Sequence, residues 1–347
     1  MFIPSEIKIS AIILHKVGNK ANEDGLFFSK QPIKTDEKLN ELLINYFFSP
    51  FKSEEYFNFY HESDLNLNEV YHYVAQIFDQ NNLAVMYEQS VNLAKHLYEK
   101  SIHHKIKGGD FFTVFFKDCI LHGESVNAVG LFKSENKDDF LKISSNGENF
   151  ELISEKGIDI KKLDKGCLIF NVEREKGFTV AVVDNTNRNL EAQYWFDDFL
   201  HVRQEENEFY HTQNALSMCK NFVTKELPEQ FEVSKADQIE LLNKSVQFFK
   251  QNENFNMEEF AQEVIVQPEV IESFSRFKSN FEEEHAVEIA DTFAISETAV
   301  KKQATGFKSV IKLDKNFHVY VHGNRNMMEQ GEDEKGKFYK LYYQKEE

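Results

Sequence analysis

The apolar run at positions 111–116 dominates the hydrophobic pattern of the chain. It reads Phe-Phe-Thr-Val-Phe-Phe, so apolar side chains fall on both alternating faces of a strand. A strand covered on one face alternates, whereas a strand covered on both faces does not. Gly108 and Gly109 give a turn signal just before it. The pattern predicts the central strand of a sheet, with Val126–Phe132 as its neighbour across a turn at 122–124. We expect burial of Phe112, Val114, Phe116 and, on the opposite face, Phe115.

Three segments before this strand have the 3.6-residue period of amphipathic helices. One follows Thr35, which is a candidate N-cap. A second follows Asn66, which forms a candidate capping box with Glu69. The third begins at Leu83 and ends before Gly108. Their apolar stripes comprise Leu39, Leu42, Leu43, Tyr46 and Phe47; Val70, Tyr71, Val74, Ile77 and Phe78; and Met86, Leu93, Ala94, Leu97 and Tyr98.

Hairpin signals follow the central strands. Asn146-Gly147 separates apolar segments at 140–143 and 150–153, and Lys176-Gly177 separates segments at 167–172 and 178–183. Strands in consecutive hairpins favour an antiparallel sheet. Together with the helices before them, they predict an α+β fold, in which an N-terminal antiparallel sheet packs with helices and a helical region follows it.

The second half of the chain is predominantly helical until Gly306. Leu227-Pro228 interrupts the helical pattern, and Ser234 with Asp237 forms a capping signal. Short strand patterns at 310–321 and 338–343 close the chain with a small β unit. A length of 347 residues suggests about two domains. We therefore predict an α+β N-terminal domain at 1–224 and, at 229–347, a helical region with a C-terminal β-hairpin unit.

The charge balance excludes attraction of the whole molecule to nucleic acid. The net charge is -18 at pH 7, so any basic surface must be local. No apolar stretch reaches the roughly 18 residues needed to span a bilayer, and the N-terminus lacks the pattern of a secretory signal. Three widely separated cysteines without a CxxC motif predict buried, reduced thiols and a cytoplasmic location.

The sign of the charge changes sharply near the C-terminus. Six acidic residues and no Lys or Arg lie between Phe281 and Glu297, and one acidic residue lies among the bases of 298–325. Clustered bases are typical of phosphate contact, although solvated lysines on an ordinary surface give the same pattern. The candidate nucleic-acid-binding residues are Lys301, Lys302, Lys308, Lys312, Lys315 and Arg325, together with a second basic group that includes Lys105 and Lys107.

Motifs for catalysis or cofactor binding are missing from the sequence. There is no GxxxxGK[ST], GxGxxG, HExxH or GxSxG motif, so neither a cofactor nor a catalytic residue is predicted. His96, His103 and His104 lack the i, i+4 spacing of a helical metal site. Glu173-x-Glu175-Lys176 loosely resembles the acidic ending of metal-dependent nucleases, but Glu and Lys are routine at a hairpin turn. We predict no enzymatic activity and no metal site.

Several segments together resemble one family. They are Gly108-Gly109-Asp110-Phe111, the Tyr194–Leu200 run, Lys308–Leu313, Asp314-x-Asn316, Gly331-x-Asp333 and Tyr339-x-Leu341-Tyr342. The chain resembles the 37-kDa nucleoid-associated bacterial protein family (NdpA type) over most of its length. The resemblance implies a bacterial cytoplasmic protein found with the nucleoid, which touches DNA or DNA-bound proteins. It implies no catalytic residues.

Three hypotheses for the function follow. The first is a non-enzymatic nucleoid-associated protein that binds DNA weakly and without strong sequence preference, or binds DNA-bound proteins. The second is an acidic protein–protein interaction module, in which Glu282–Glu297 meets a basic protein and the nucleoid association is indirect. The third is a metal-dependent nucleic-acid enzyme. No membrane partner is expected, and oligomer formation stays open.

Overall fold

The predicted central strand lies inside an antiparallel sheet of eight strands in the first half of the chain. The computed structural model describes residues 7–147, 149–186, 194–307, 310–321 and 327–345. The chain separates into two compact units, Met1–Glu205 and Glu206–Glu347. The predicted division into domains at 1–224 and 229–347 stays a prediction, because packing in one structure does not measure which segments fold alone.

The first unit contains ten strands among its described residues. The strands are β1 (Lys8–Val17), β2 (Leu26–Phe28), β3 (Tyr56–Phe59), β4 (Gly109–Leu121), β5 (Glu124–Ser134), β6 (Asp138–Asn146), β7 (Asn149–Gly157), β8 (Lys165–Phe170), β9 (Thr179–Asp184) and β10 (Val202–Gln204). The order across the eight-stranded sheet is β10-β3-β9-β8-β5-β4-β1-β2, and every neighbouring pair is antiparallel. The predicted central strand, β4, and its predicted neighbour, β5, are therefore adjacent and interior, as expected.

Helices cover both faces of this sheet. The α-helices among the described residues of this unit are α1 (Glu37–Phe48), α2 (Glu69–Gln80) and α3 (Leu83–Lys100), and Tyr194–Leu200 forms a π-helix. Phe111 and Phe115 of β4 belong to the apolar cluster that contains α2, α3 and Trp195. On the opposite face, the cluster that contains α1 includes Phe112, Val114 and Phe116. The predicted burial is confirmed, because these side chains are at most 6% exposed.

Two of the predicted helix caps are wrong by one or two residues. Asp36 caps α1 in place of Thr35, and its carboxylate accepts the backbone N–H of Leu39 at 2.8 Å. Asn68 caps α2, because the residues before it form a 3-10 turn at Leu65–Leu67. Asn66 therefore lies too early to satisfy the free N–H groups of the helix.

The hairpin of β6 and β7 forms as predicted but lies outside the eight-stranded sheet. On the side of β5 that faces away from β4, the backbone groups pair with β8. Because that edge of β5 is already occupied, the intervening hairpin has no place in the ladder. The hairpin of β8 and β9, in contrast, joins the main sheet.

The second unit is helical and ends in short hairpins, and the predicted α+β fold is therefore confirmed. Ser234 and Asp237 form the predicted capping box at the start of the helix Lys235–Gln251. Phenylalanines fill much of the core of the second unit. The helices are α4 (Glu208–Asn221), α5 (Leu227–Gln230), α6 (Lys235–Gln251), α7 (Met257–Phe260), α8 (Pro268–His285) and α9 (Glu297–Ala304). The strand pairs are β11 (Asn254–Asn256) with β12 (Thr292–Ala294), β13 (Val310–Leu313) with β14 (Phe317–Tyr320), and β15 (Met328–Asp333) with β16 (Gly336–Leu341).

The three cysteines are buried and free, as predicted. Cys119 and Cys167 lie in the first unit, and Cys219 lies in α4 of the second. Burial raises the pKa of the Cys119 thiol to about 12, so this thiol stays protonated at neutral pH. None of the three has the exposed, electropositive surroundings of a reactive thiol.

Candidate nucleic-acid interface

A cavity of about 970 Å³ opens at one end of the main sheet in the first unit. In an antiparallel sheet, the starts of alternate strands and the ends of their neighbours lie at the same end. The segments that precede β4 and β8 and those that follow β5 and β9 therefore meet there, beside the C-terminal end of α1. The lining residues include Leu42, Asn45, Ser49, Pro50, Asn136, Ile160, Leu163, Asn185 and Thr186.

Five exposed lysines border this cavity, which we call the basic cavity. Lys107 donates from Nζ to Oδ1 of Asn136 at 2.7 Å, and Nζ of Lys162 lies 3.3 Å from a carboxylate oxygen of Asp159. Two of the predicted nucleic-acid-binding residues, Lys105 and Lys107, are among the five. The lysines are Lys52, Lys105, Lys107, Lys161 and Lys162.

Two carboxylates also line the cavity, and hydrogen bonds within the fold hold both of them. Asp164 accepts the backbone N–H groups of Glu135 and Asn136 at 2.6 and 2.8 Å. Glu135 lies 2.9 Å from Nζ of Lys133 and accepts the hydroxyl of Tyr194 at 3.0 Å. These acids are therefore engaged with donors of the fold, and the exposed lysines supply the charge that faces solvent.

A network of buried charges lies next to the cavity. Strand register aligns Lys133 of β5 with Lys165 of β8 and with Asp184 of β9. Lys165 Nζ lies 2.7 Å from Oδ2 of Asp184, and the side chains of both lysines are fully buried. Burial lowers the pKa of Lys133, while the charge of Glu135 opposes that shift. The network anchors the strand ends from which the cavity segments emerge.

The chemistry of the basic cavity suits phosphate better than a base edge. Ammonium groups act as point charges toward phosphate oxygens, whereas bidentate reading of guanine relies mainly on arginine. No arginine is among the described lining residues. Such a surface is able to hold anionic groups without distinguishing the sequence that carries them.

The other predicted candidates lie in the second unit. Lys301 and Lys302 occupy the last turn of α9, where Lys301 pairs with Glu297 at 3.1 Å and Nζ of Lys302 lies 5.4 Å from the ring centre of Phe209. Lys312, in β13, and Lys315, in the following turn, are exposed. Lys308 and Arg325 lie outside the described residues. The predicted shared strand face of Lys308 and Lys312 is therefore untested.

The acidic segment Glu282–Glu297 is partly neutralised within the fold. Lys278, which lies just before the segment in sequence, is 3.0 Å from Glu282 and 3.3 Å from Asp291. Glu282 also accepts the backbone N–H of Ile289 at 2.8 Å. Glu283, Glu284 and Glu288 are exposed, as are Asp291 and Glu297, which pair with Lys278 and Lys301.

Two of the weaker candidates for chemistry, His96 and the Glu173–Lys176 pair, are engaged in structural contacts. His96 lies against the Phe199 carbonyl at 3.1 Å, and Lys176 pairs with Glu173 at 2.6 Å. Within the described ranges, no three His, Cys, Asp or Glu side chains are grouped to hold a metal ion.

Sequence reasoning missed three lysines of the basic cavity. Lys161 and Lys162 are adjacent in sequence, which is a local basic signal that could have been noted. Lys52, in contrast, follows α1 and lies more than 100 residues earlier in the chain. Only the alignment of strand ends brings these lysines near Lys105 and Lys107.

In the part of the chain that the structure describes, no helix is both long and apolar enough to cross a bilayer.

Comparisons with known proteins identify the family of the chain. A search of curated proteins finds no match. The family model described as nucleoid-associated protein YejK matches residues 13–336, which include most of both units, and confirms the resemblance noted in the sequence. The chain therefore belongs to the nucleoid-associated protein YejK family.

Proposed function

We propose that this protein is a non-enzymatic, nucleoid-associated protein of the bacterial cytoplasm that binds DNA directly but weakly, through phosphate contacts and without strong sequence preference. The main support is the basic cavity, because five lysines surround one concavity on a chain whose net charge is -18. We assign the phosphate contacts to Lys105 and Lys107 in the first unit and to Lys301, Lys302, Lys308, Lys312, Lys315 and Arg325 in the second.

The charge distribution supports weak rather than strong binding. The net negative charge repels DNA from most of the surface and limits contact to local basic regions. Each phosphate neutralised by a lysine adds about -0.9 to the slope of log K against log salt concentration. If three or four of the eight assigned residues contact phosphates at the same time, the slope is about -3 to -4.

A fluorescence titration of duplex DNA at several salt concentrations tests this proposal. The double variant Lys105→Gln/Lys107→Gln should flatten the slope by about two units, because two ammonium groups are removed. The matched control is Lys16→Gln/Lys30→Gln, which removes the same charge from exposed lysines of the first unit that do not line the cavity.

Two results would contradict the proposal. Equal flattening in both double variants would mean that overall charge, rather than the basic cavity, sets the binding. Absence of binding by the wild type at low salt would remove direct DNA contact altogether and favour the second function below.

The alternative function is an acidic protein–protein interaction module that joins the nucleoid indirectly. The exposed acids Glu283, Glu284 and Glu288 support it, because they present like charge to a basic partner. Pull-down from nuclease-treated and untreated lysate separates the two functions. A nucleoid protein retained after nuclease treatment, and lost in Glu283→Gln/Glu284→Gln/Glu288→Gln, would favour the alternative.

A further inference from the structure

One face of the β6–β7 hairpin exposes four large apolar side chains. Register places Ile143 opposite Leu152, so these two residues lie on the same face. Leu141 and Phe150 share this face, because side chains two residues apart on a strand point the same way. Their exposed fractions are 69% for Leu141 and Ile143, 81% for Phe150 and 63% for Leu152.

The opposite face of the same hairpin is mostly polar, but it also carries Phe140, which is 46% exposed, and the half-buried Ile153. Lys142 and Glu155 form a cross-strand ion pair there at 3.5 Å, and Glu151 is exposed. The hairpin thus has the two-sided pattern of a strand pair with one covered face. A two-stranded hairpin is only marginally stable in water by itself, and the main sheet does not include this one. The apolar face is therefore suited to being covered.

We propose that the apolar face of this hairpin, formed by Leu141, Ile143, Phe150 and Leu152, docks against the same face of a second copy of this chain. The resulting dimer is closed by a two-fold axis, which requires one patch to be complementary to itself. The residue sizes and the charges on this face both meet that requirement.

On either side of the central Ile143–Leu152 pair, the two large side chains lie on one diagonal of the face and two serines lie on the other. Leu141 stands opposite Ser154, and Phe150 stands opposite Ser145, on either side of the central Ile143–Leu152 pair. When two copies stack face to face about an axis parallel to the strands, Leu141 of one copy lies over Ser154 of the other, and Phe150 lies over Ser145. If the two-fold axis instead runs perpendicular to the strands, Leu141 lies over Ser145 and Phe150 lies over Ser154. Each large side chain therefore meets a small one.

The charge on this face is also self-compatible. Asp139 stands directly opposite Lys156 at the base of the face, so the face carries no net charge, although the whole chain carries -18. Two acidic copies are therefore able to approach here without bringing like charges together. Stacking about the axis parallel to the strands places Asp139 of one copy over Lys156 of the other.

The apolar area is large enough for a dimer. With 63–81% of each side chain exposed, the four residues present on the order of 500 Å² per copy, the size of the largest apolar patch on a typical monomer. Two copies would bury on the order of 1,000 Å², which is where specific interfaces begin. We therefore expect a reversible rather than an obligate dimer.

Sedimentation velocity of the full chain over a range of concentrations tests the dimer. The wild type should shift from one to two chain masses as concentration rises. Leu152→Lys should raise the dimer dissociation constant at least about 100-fold, because each dimer buries the unpaired charge twice. Glu151→Lys is the control, since it adds a lysine to the adjacent, opposite-facing position and should leave the dimer intact.

Phe150→Ser provides a second test, because it removes exposed apolar area without adding charge and should also weaken the dimer. Fluorescence of Trp195, which is buried in the first unit, shows whether each variant keeps its fold. A wild type that stays monomeric at every concentration would overturn the proposal. So would a dimer that both folded variants, Leu152→Lys and Phe150→Ser, leave unchanged, because the contact would then lie elsewhere.

Discussion

Lys133 and Glu135 form an ion pair that the fold buries almost completely. Nζ lies 2.9 Å from Oε1, and the side chains are 0% and 4% exposed. The two residues are separated by Ser134, at the end of β5. The Lys107 carbonyl and the Tyr194 hydroxyl complete the hydrogen bonds of the ammonium group at 2.6 and 3.1 Å. These contacts stabilise the charged ammonium group of Lys133, whereas burial alone would favour its neutral form.

We expect Lys133→Met to lower the free energy of unfolding by about 3 kcal/mol, because it removes the nearest cation from the buried carboxylate of Glu135, although Lys165 still lies 4.0 Å from it. Lys142→Met is the control, since its pair with Glu155 is exposed and should contribute less than about 0.5 kcal/mol. Denaturant unfolding followed by Trp195 fluorescence measures the first unit. Equal stability of the Lys133→Met variant and the wild type would show that the pair contributes nothing net.

Stability should fall in mild acid because of His15. Burial lowers the pKa of this imidazole from 6.5 to about 4. Nε2 lies 2.9 Å from the Ser90 hydroxyl, which itself donates to the Tyr87 carbonyl, so Nε2 is the protonated nitrogen. Nδ1 is buried and has no hydrogen-bond partner in the described part of the chain. A second proton there would be buried without an acceptor.

The sign of the effect follows from the two pKa values. Between about pH 6.5 and 4 the unfolded chain binds the His15 proton and the folded chain does not, so the free energy of unfolding decreases as the pH falls. The loss should reach at most about 3 kcal/mol. Unfolding of the wild type and of His15→Gln across this range measures the difference. Parallel curves would exclude His15 as the source.

Phe116→Ala should destabilise the first unit by about 3–5 kcal/mol, because it opens a cavity among packed rings. Phe116 is fully buried, and its ring centre lies 5.0 Å from that of Phe48 and 6.2 Å from that of Phe132. Phe27→Ala, at a side chain that is 70% exposed, should change the stability much less. Denaturant unfolding compares the two, and similar losses would argue against the close packing around β4.

The C-terminal lysines should contribute to DNA binding separately from the basic cavity. Lys308→Gln/Lys312→Gln should flatten the salt dependence of duplex binding by about two units, because two phosphate contacts are lost. Its effect on stability should stay within about 0.5 kcal/mol, as is usual for surface changes. The titration is repeated with this double variant beside the wild type. An unchanged slope would remove these residues from the proposed interface.

Local patterns were sufficient to predict much of the fold. The apolar run at 111–116 predicted a strand covered on both faces, and the periodic stripes predicted α2 and α3. The cap at Ser234 was found because its hydrogen bonds join residues three apart. The predicted caps of α1 and α2 were wrong by one or two residues because several neighbouring Asp, Asn and Thr side chains are suitable N-caps. Small differences in backbone geometry select Asp36 and Asn68 among them.

The candidate surfaces depended on tertiary structure. Lys52, Lys107 and Lys162 come together because antiparallel pairing gathers four strand ends beside α1, and this pairing joins segments far apart in the chain. The β6–β7 hairpin is recognisable from Asn146-Gly147, but its exposure follows from the pairing of β5 with β8. Residue periodicity records which face of an element is apolar. Which neighbour covers that face is decided by long-range packing, which periodicity does not encode.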